Sequence, residues 1–209
     1  MVPPGPPSHY FDAEPTSGRA ETSVELVLPD VRFTLATDRG VFARDHVDAG
    51  TKLLLLDGPD AVTTDRVLVD VGAGYGPIAC TLAHRNPQAT VWAVEVNSRA
   101  RELCAANAAA ASLTNLQVVS PEEVPNDLVA DRIWSNPPIR IGKAALHELL
   151  LGWLGRLDSS GSAHLVVQRH LGADSLHRWM EGQGWSVTRR GSRQAYRLLD
   201  VAAPEGDGS

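Results

Sequence analysis

The stretch 67–76, VLVDVGAGYG, constrains this chain more than any other. It opens as a short aliphatic run around Asp70, the look of a buried strand, and then breaks into glycines at alternate positions, Gly72, Gly74 and Gly76. From Pro77 it resumes as PIACTLAHR, an apolar-periodic helix. Proline is tolerated in the first turn because its missing N–H would have had no intrahelical partner. Strand, glycine turn and helix in succession make a nucleotide-type site. Glycine lets backbone approach a ligand closely, and a helix start offers unpaired N–H groups to a negative group.

The spacing narrows the nucleotide. A dinucleotide fingerprint reads G-x-G-x-x-G, whereas this turn reads G-x-G-x-G with Asp70 two positions upstream. An acid so near the turn would repel a pyrophosphate. It would welcome the ammonium end of an amino acid carried on a nucleoside, which S-adenosylmethionine presents. An acidic residue about 20 positions beyond such a turn takes ribose hydroxyls, and Glu95 stands there, after the apolar run 90–94. A plain βαβ turn would need neither acid.

At 209 residues the chain suits one domain with extensions. No apolar run approaches a membrane span. The proline-rich N-terminus has neither the basic region nor the apolar core of a secretory signal. Cys80 and Cys104 fall on predicted helices without metal spacing and read as small buried hydrophobes in a reducing cytosol, so a cytoplasmic, metal-free protein is expected. The net charge of −6 argues against a general nucleic-acid binder. It is unevenly spread: residues 1–131 carry −9, residues 132–200 carry +5 and residues 201–209 carry −2. The basic segment suits a local phosphate contact or a solvated surface.

In chain order, residues 1–8 and 202–209 have the composition of disordered tails. Residues 9–201 form one domain, with 9–65 an N-terminal lid or brace and 66–201 the cofactor-binding core. In the brace, 24–28 and 31–35 read as a hairpin around Pro29-Asp30, and 40–42 as a short extended piece. Thr51 is the expected cap of a helix KLLLLD ended by Gly58-Pro59. In the core, strands at 67–71, 90–95, 116–119, 131–135 and 163–168 alternate with helices near 76–85, 98–111, 143–157 and 172–182. Strands at 185–190 and 194–200 follow, close enough across 191–193 for an antiparallel hairpin. The fold class is therefore α/β: a doubly wound, mostly parallel seven-stranded sheet with an N-terminal hairpin.

The strand DRIWS ends in Asn136-Pro137-Pro138-Ile139. Ligands of open α/β sheets bind outside the carboxyl ends of strands, which places Asn136 on the same edge as the glycine turn and Glu95. Consecutive prolines stiffen the backbone and remove N–H donors. An amide oxygen beside a fixed carbonyl can hold both hydrogens of a planar NH2 group, turning its nitrogen toward a methyl donor. On its own, Asn-Pro is an ordinary turn.

DVGAGYG, Glu95 and SNPPIR together resemble the class I S-adenosylmethionine-dependent methyltransferases of exocyclic amines and amides. HYF at 9–11, GVFA at 40–43, DAGT at 48–51 and NPPIRIGK at 136–143 are similar, more narrowly, to the methyltransferase-small domain of small-subunit ribosomal RNA guanine-N2 methyltransferases. The resemblance covers about 9–201. It implies S-adenosylmethionine as cofactor and RNA as partner. It also implies that Asp70, Gly72, Ala73, Gly74 and Gly76 line the methionine end, with Glu95 and Val96 at the ribose and Ser120-Pro121 beside the adenine. Asn136 and Pro137 would orient the target nitrogen, and Phe42 with Phe11 would help enclose the cofactor. Pro138, Ile139, Arg140 and Lys143 would face the substrate.

The chain departs from the pattern in three places. Relatives carry an acid beside the adenine where this chain has Ser120-Pro121. Adenine and release-factor glutamine enzymes follow NPP with an aromatic, where Ile139 stands here. The two-domain guanine enzymes carry a duplicated N-terminal domain with no counterpart in these residues. Three functions are weighed: an RNA guanine-N2 methyltransferase, a protein glutamine-amide methyltransferase, and a non-enzymatic cofactor-fold module. Ile139 argues against the second; Asp70, Glu95 and Asn136 argue against the third.

Overall fold

The computed structural model describes residues 18, 20–193 and 195–203. The expected tail at 1–8, the HYF segment and Phe11 lie outside them, as does Gln194. The chain begins with a two-stranded antiparallel hairpin, β1 (Thr22–Val27) and β2 (Arg32–Thr37). A helix, α1 (Ala49–Asp57), follows. The core then alternates β3 (Val67–Val71), α2 (Pro77–Arg85), β4 (Thr90–Val94), α3 (Ser98–Ala110), β5 (Leu116–Val119) and β6 (Ala130–Ser135). It closes with α4 (Lys143–Leu154), β7 (Leu157–Gln168), α5 (Ala173–Gly182), β8 (Ser186–Arg193) and β9 (Tyr196–Ala202).

Seven strands form one sheet in the order β5-β4-β3-β6-β7-β9-β8. All neighbours pair in parallel except β9, which slots between β7 and β8 and runs against both. This is the expected methyltransferase-type sheet, with β3 inside it. The strands are apolar on both sides because both faces are covered. Leu68, Val91, Trp134 and Val166 pack toward α1, α2, α3 and the hairpin. Val69, Ile133, Leu165 and Leu199 pack toward α4 and α5. From β3 the chain winds outward to β4 and β5, then returns to lay β6 on the other side of β3. Their carboxyl ends meet where the winding reverses, and that is where α/β sheets bind ligands.

The hairpin is tied to the core by one buried amide. Asn107 on α3 accepts the N–H of Ala36 at 2.7 Å and donates to the carbonyls of Ala36 at 3.0 Å and Tyr75 at 2.8 Å.

Some local boundaries differ from the sequence reading. The segment 40–42 is a turn, not extended: Gly40 has φ 80° and Ala43 φ 56°, and Asn97 donates to the Gly40 carbonyl at 3.2 Å. Helix α1 starts two residues before Thr51, capped by Asp48 through the N–H groups of Gly50 and Thr51. Helix α4 stops at Leu154, because β7 already starts at Leu157. The polar run DSSGS that looks like a loop is strand, and the register with β6 shifts between Ala130 and Arg132. Gly161 allows it: a Cβ there would sit 2.8 Å from the Asp131 carbonyl. At the other end, 191–193 stay in β8 opposite Leu198–Tyr196, so the turn falls later, with Ala195 at φ 69°. Strand β9 runs on to Ala202, the first residue assigned to the tail.

Candidate active site

A cavity of about 310 Å³ opens at the carboxyl ends of β3, β4, β6 and β7, within the range of small-molecule sites. One wall is the glycine turn. Gly72 (φ 76°) and Gly74 (φ 57°) need left-handed backbone, and a Cβ on Gly74 would meet nothing within 4 Å, so the turn presents bare backbone to the cavity. Glu95 spans the turn and the end of β4. One carboxylate oxygen accepts the Gly74 N–H at 2.8 Å and the other the Asn97 N–H at 2.9 Å. Burial raises its pKa, against the pull of those N–H groups.

Asp70 sits behind this wall rather than on it. It is fully buried, one oxygen takes the Ala79 N–H at the start of α2 at 2.9 Å, and the other has no partner among the described residues. Burial pushes its pKa up to about 8, the Ala79 N–H opposing and the charge of Glu95 assisting. Gly76 is also off the wall. Its missing Cβ makes room for α3, since an added Cβ would lie 2.6 Å from the Cys104 sulfur. Ser120 is absent from the cavity because it caps a short turn at 121–123 together with Glu123, leaving Pro121 and Val96 as apolar lining. Ala73 lines the cavity, and Phe42, 40% exposed, stands at its mouth.

The adjoining wall, which follows β6 next to β3, is Asn136-Pro137-Pro138-Ile139-Arg140. Asn136 donates its amide hydrogens to Asp48 at 2.9 Å and to the Thr51 hydroxyl at 3.1 Å. An ionised carboxylate can only accept, so the amide nitrogen must face Asp48 and Oδ1 is left over. Oδ1 accepts no hydrogen bond among the described residues. The Pro137 carbonyl accepts the Ile139 N–H at 2.8 Å and keeps a second lone pair. Arg140 lines the rim, whereas Lys143, at the start of α4, is exposed and off the cavity.

Sequence reasoning gave no role in the site to Asp48, Thr51, Gln168 or Tyr196, all of which line the cavity. The DAGT tetrad was the signal, read there only as a family mark. Trp153 is both core and cavity lining. Another polar chain, Ser162 to His164 at 3.1 Å and His164 to Asp200 at 2.9 Å, does not reach the cavity. Among the described residues no group of three or more His, Cys, Asp or Glu is arranged to hold a metal.

Sheet order and glycine turn together define an α/β domain of the methyltransferase type, with the Asn-Pro-Pro segment lining the same cavity. A family model, the methyltransferase small domain, matches residues 32–199, and the chain belongs to that family. It is 33% identical over 170 residues to the uncharacterised protein YbxB of Bacillus subtilis, covering 80% of this chain and 84% of that one. It is 31% identical over 151 residues to ribosomal RNA small subunit methyltransferase C of Shewanella sp. MR-4. That match covers 70% of this chain but 43% of the Shewanella protein, so the chain spans under half of that relative. A T. thermophilus 16S rRNA guanine-N2 methyltransferase, solved with AdoMet and guanosine, superposes with TM-score 0.76 at 22% identity. The superposition covers 90% of this chain and 52% of that one.

The residues present fit S-adenosylmethionine. Bare backbone at Gly74 admits a close ligand, Glu95 lines the cavity with lone pairs beyond those that take the Gly74 and Asn97 N–H groups, and Val96 and Pro121 supply apolar surface.

Proposed function

We propose that this chain transfers a methyl group from S-adenosylmethionine to an exocyclic amine, the N2 of guanine in ribosomal RNA. The observation that carries the reading is the held amide of Asn136, whose oxygen is left over beside the Pro137 carbonyl, in the same cavity as the glycine turn. The relatives named above support the choice of acceptor.

The cofactor supplies an electrophilic methyl group on a sulfonium. Glu95 takes the ribose hydroxyls, Val96 and Pro121 flank the adenine, and Gly72, Ala73 and Gly74 accommodate the methionine end. Phe42 closes the mouth. Ile139 and Arg140 receive the substrate base and its backbone. The lone pair of a guanine amine is delocalised into the ring, so it attacks poorly, and orientation supplies most of the catalysis. Asn136 Oδ1 and the Pro137 carbonyl accept one N–H each and aim the nitrogen at the methyl group. Positioning of this kind lowers a barrier by up to about 7–11 kcal/mol. The proton leaves after methyl transfer, so no strong base is needed.

Asn136→Ala should bind S-adenosylmethionine as the parent does yet lose about a hundredfold or more in turnover, the usual cost of one transition-state hydrogen bond. Tritiated-methyl transfer to ribosomal subunits, free ribosomal RNA and a protein fraction measures it. Wild-type turnover in the variant, or label appearing only in protein, would reject the reading.

A further inference from the structure

Asn136 can work as an acceptor in only one of its two amide orientations. Nearly isosteric ends make the flipped side chain equally easy to pack. Flipped, it would point NH2 at an incoming NH2, and no bond would form. Something outside the Asn-Pro-Pro motif has to choose.

We propose that Asp48 is the positioning residue for Asn136, an inference that rests on the amine-methyltransferase reading above. Its carboxylate is acceptor-only when ionised, and Oδ2 lies 2.9 Å from the Asn136 amide nitrogen. The carboxylate cannot swing away. Oδ2 also takes the N–H groups of Gly50 at 2.8 Å and Thr51 at 3.1 Å, and Oδ1 takes the Tyr196 hydroxyl at 3.3 Å. Tyr196 is held in turn, because its oxygen receives the Gln168 amide at 2.9 Å and its hydrogen is left to point at Asp48. A line of polarity therefore runs from the end of β7 through β9 to the cap of α1, and ends on Asn136. Thr51 completes the grip as second acceptor for the same amide at 3.1 Å. With four donors already on its oxygens, Asp48 is spoken for as an acceptor, which separates its role from that of a base.

The test combines turnover with a direct view of the amide. Asp48→Ala should keep its affinity for S-adenosylmethionine and lose about tenfold or more in kcat on ribosomal RNA, the rate equivalent of one charge-assisted hydrogen bond. KM should move little. Asp48→Asn should recover most of the rate, since asparagine also caps a helix and can offer its oxygen to Asn136. In a double-mutant cycle, Asp48→Ala on top of Asn136→Ala should add nothing, because Asp48 acts through that amide. Thr51→Val, which leaves the Asp48 cap in place, should show the same non-additivity if Asp48→Ala proves too unstable to assay. Losses that multiply, or full kcat in Asp48→Ala, would overturn the proposal. Separately, the Asn136 side-chain amide signals in a ¹⁵N spectrum, assigned by their loss in Asn136→Ala, should exchange slowly with water and become fast in Asp48→Ala. Slow exchange persisting in Asp48→Ala rejects the Asp48 contact. Absence of methyl transfer to RNA by the wild type rejects the functional reading and leaves this spectrum as the measure of Asp48.

Discussion

Protonation of Asp70 couples a single buried carboxyl to the stability of the whole domain. In the folded chain it titrates near 8, against an ordinary 3.8, because burial disfavours its charge. Between those values the unfolded chain has released a proton that the folded chain still holds, so stability falls as pH rises. The contribution is present in full below about 3.8 and is lost as pH climbs through about 8. Asp70→Asn keeps an oxygen for the Ala79 N–H and removes the titration. Urea unfolding of the ligand-free protein at pH 5 and pH 8.5 should show a smaller drop in the variant than in the wild type. Equal drops would show that Asp70 is already charged. The places of Glu95 and Asn136 at strand ends on the cavity were legible from sequence because each is a polar residue directly following an apolar strand. Asp70 was legible as buried chemistry but placed on the wrong side of the glycine wall, since sequence does not tell which face of β3 turns to α2. Asp48 was not legible as a site residue: its partner lies 88 positions away, and nothing local announces the pairing.

Among the elements, α1 shows how one tetrad serves two masters. Asp48 caps the helix and grips the site, Thr51 accepts from Asn136, and Gly50 makes room between them. A Cβ on Gly50 would lie 2.5 Å from the Tyr196 ring and 2.9 Å from the Asp48 carboxylate. On helix propensity alone, Gly50→Ala should stabilise by up to about 1 kcal/mol. Crowding wins instead, and the variant should be destabilised by about 1–3 kcal/mol in urea unfolding. A stabilised Gly50→Ala would mean that Tyr196 does not pack where it is described. The helix itself was readable from KLLLLD, but its start was not, because Thr51 looks like a cap when its hydroxyl is engaged by Asn136. Strand β7 was shortened in the sequence reading for a related reason: a bulge hides polar residues inside a strand that alternation would exclude.

Across the whole molecule, much of the positive charge in 132–200 is already paired. Arg132, Arg189, Arg190, Arg193 and Arg197 face acidic partners: Asp65, Asp174, Asp200 and Asp57. The side chains of Arg140, Lys143 and Arg169 make no ion pair among the described residues. All three follow the carboxyl ends of β6 and β7, adjacent strands whose ends open on the cavity. On the proposed function, their place suits them to an RNA backbone. Replacing Arg140, Lys143 and Arg169 together with glutamine should weaken ribosomal RNA binding and flatten its salt dependence, by about 0.7–0.9 in the log–log slope for each phosphate no longer neutralised. Filter binding across a salt series reads this, and an unchanged slope would move RNA docking elsewhere. The doubly wound, mostly parallel sheet was open to sequence because βα alternation and right-handed crossovers admit few arrangements. Which arginines were already paired was not, since those pairs join residues as far apart as Asp57 and Arg193.

The late strand β9 has a consequence for how the protein comes into being. Tyr196 opens that strand and meets Asp48 across 148 positions of chain. A ribosome must therefore carry synthesis past both β7 and β8 before Asp48 gains the hydroxyl that braces it. A copy abandoned partway, after β6 but before β9, would already carry the glycine turn and Asn136. It would lack the strand that seals β7 against β8 and the tyrosine that steadies the acceptor wall. Such unfinished copies should bind poorly and methylate nothing, so activity emerges only once β9 has been made and has taken its place in the sheet.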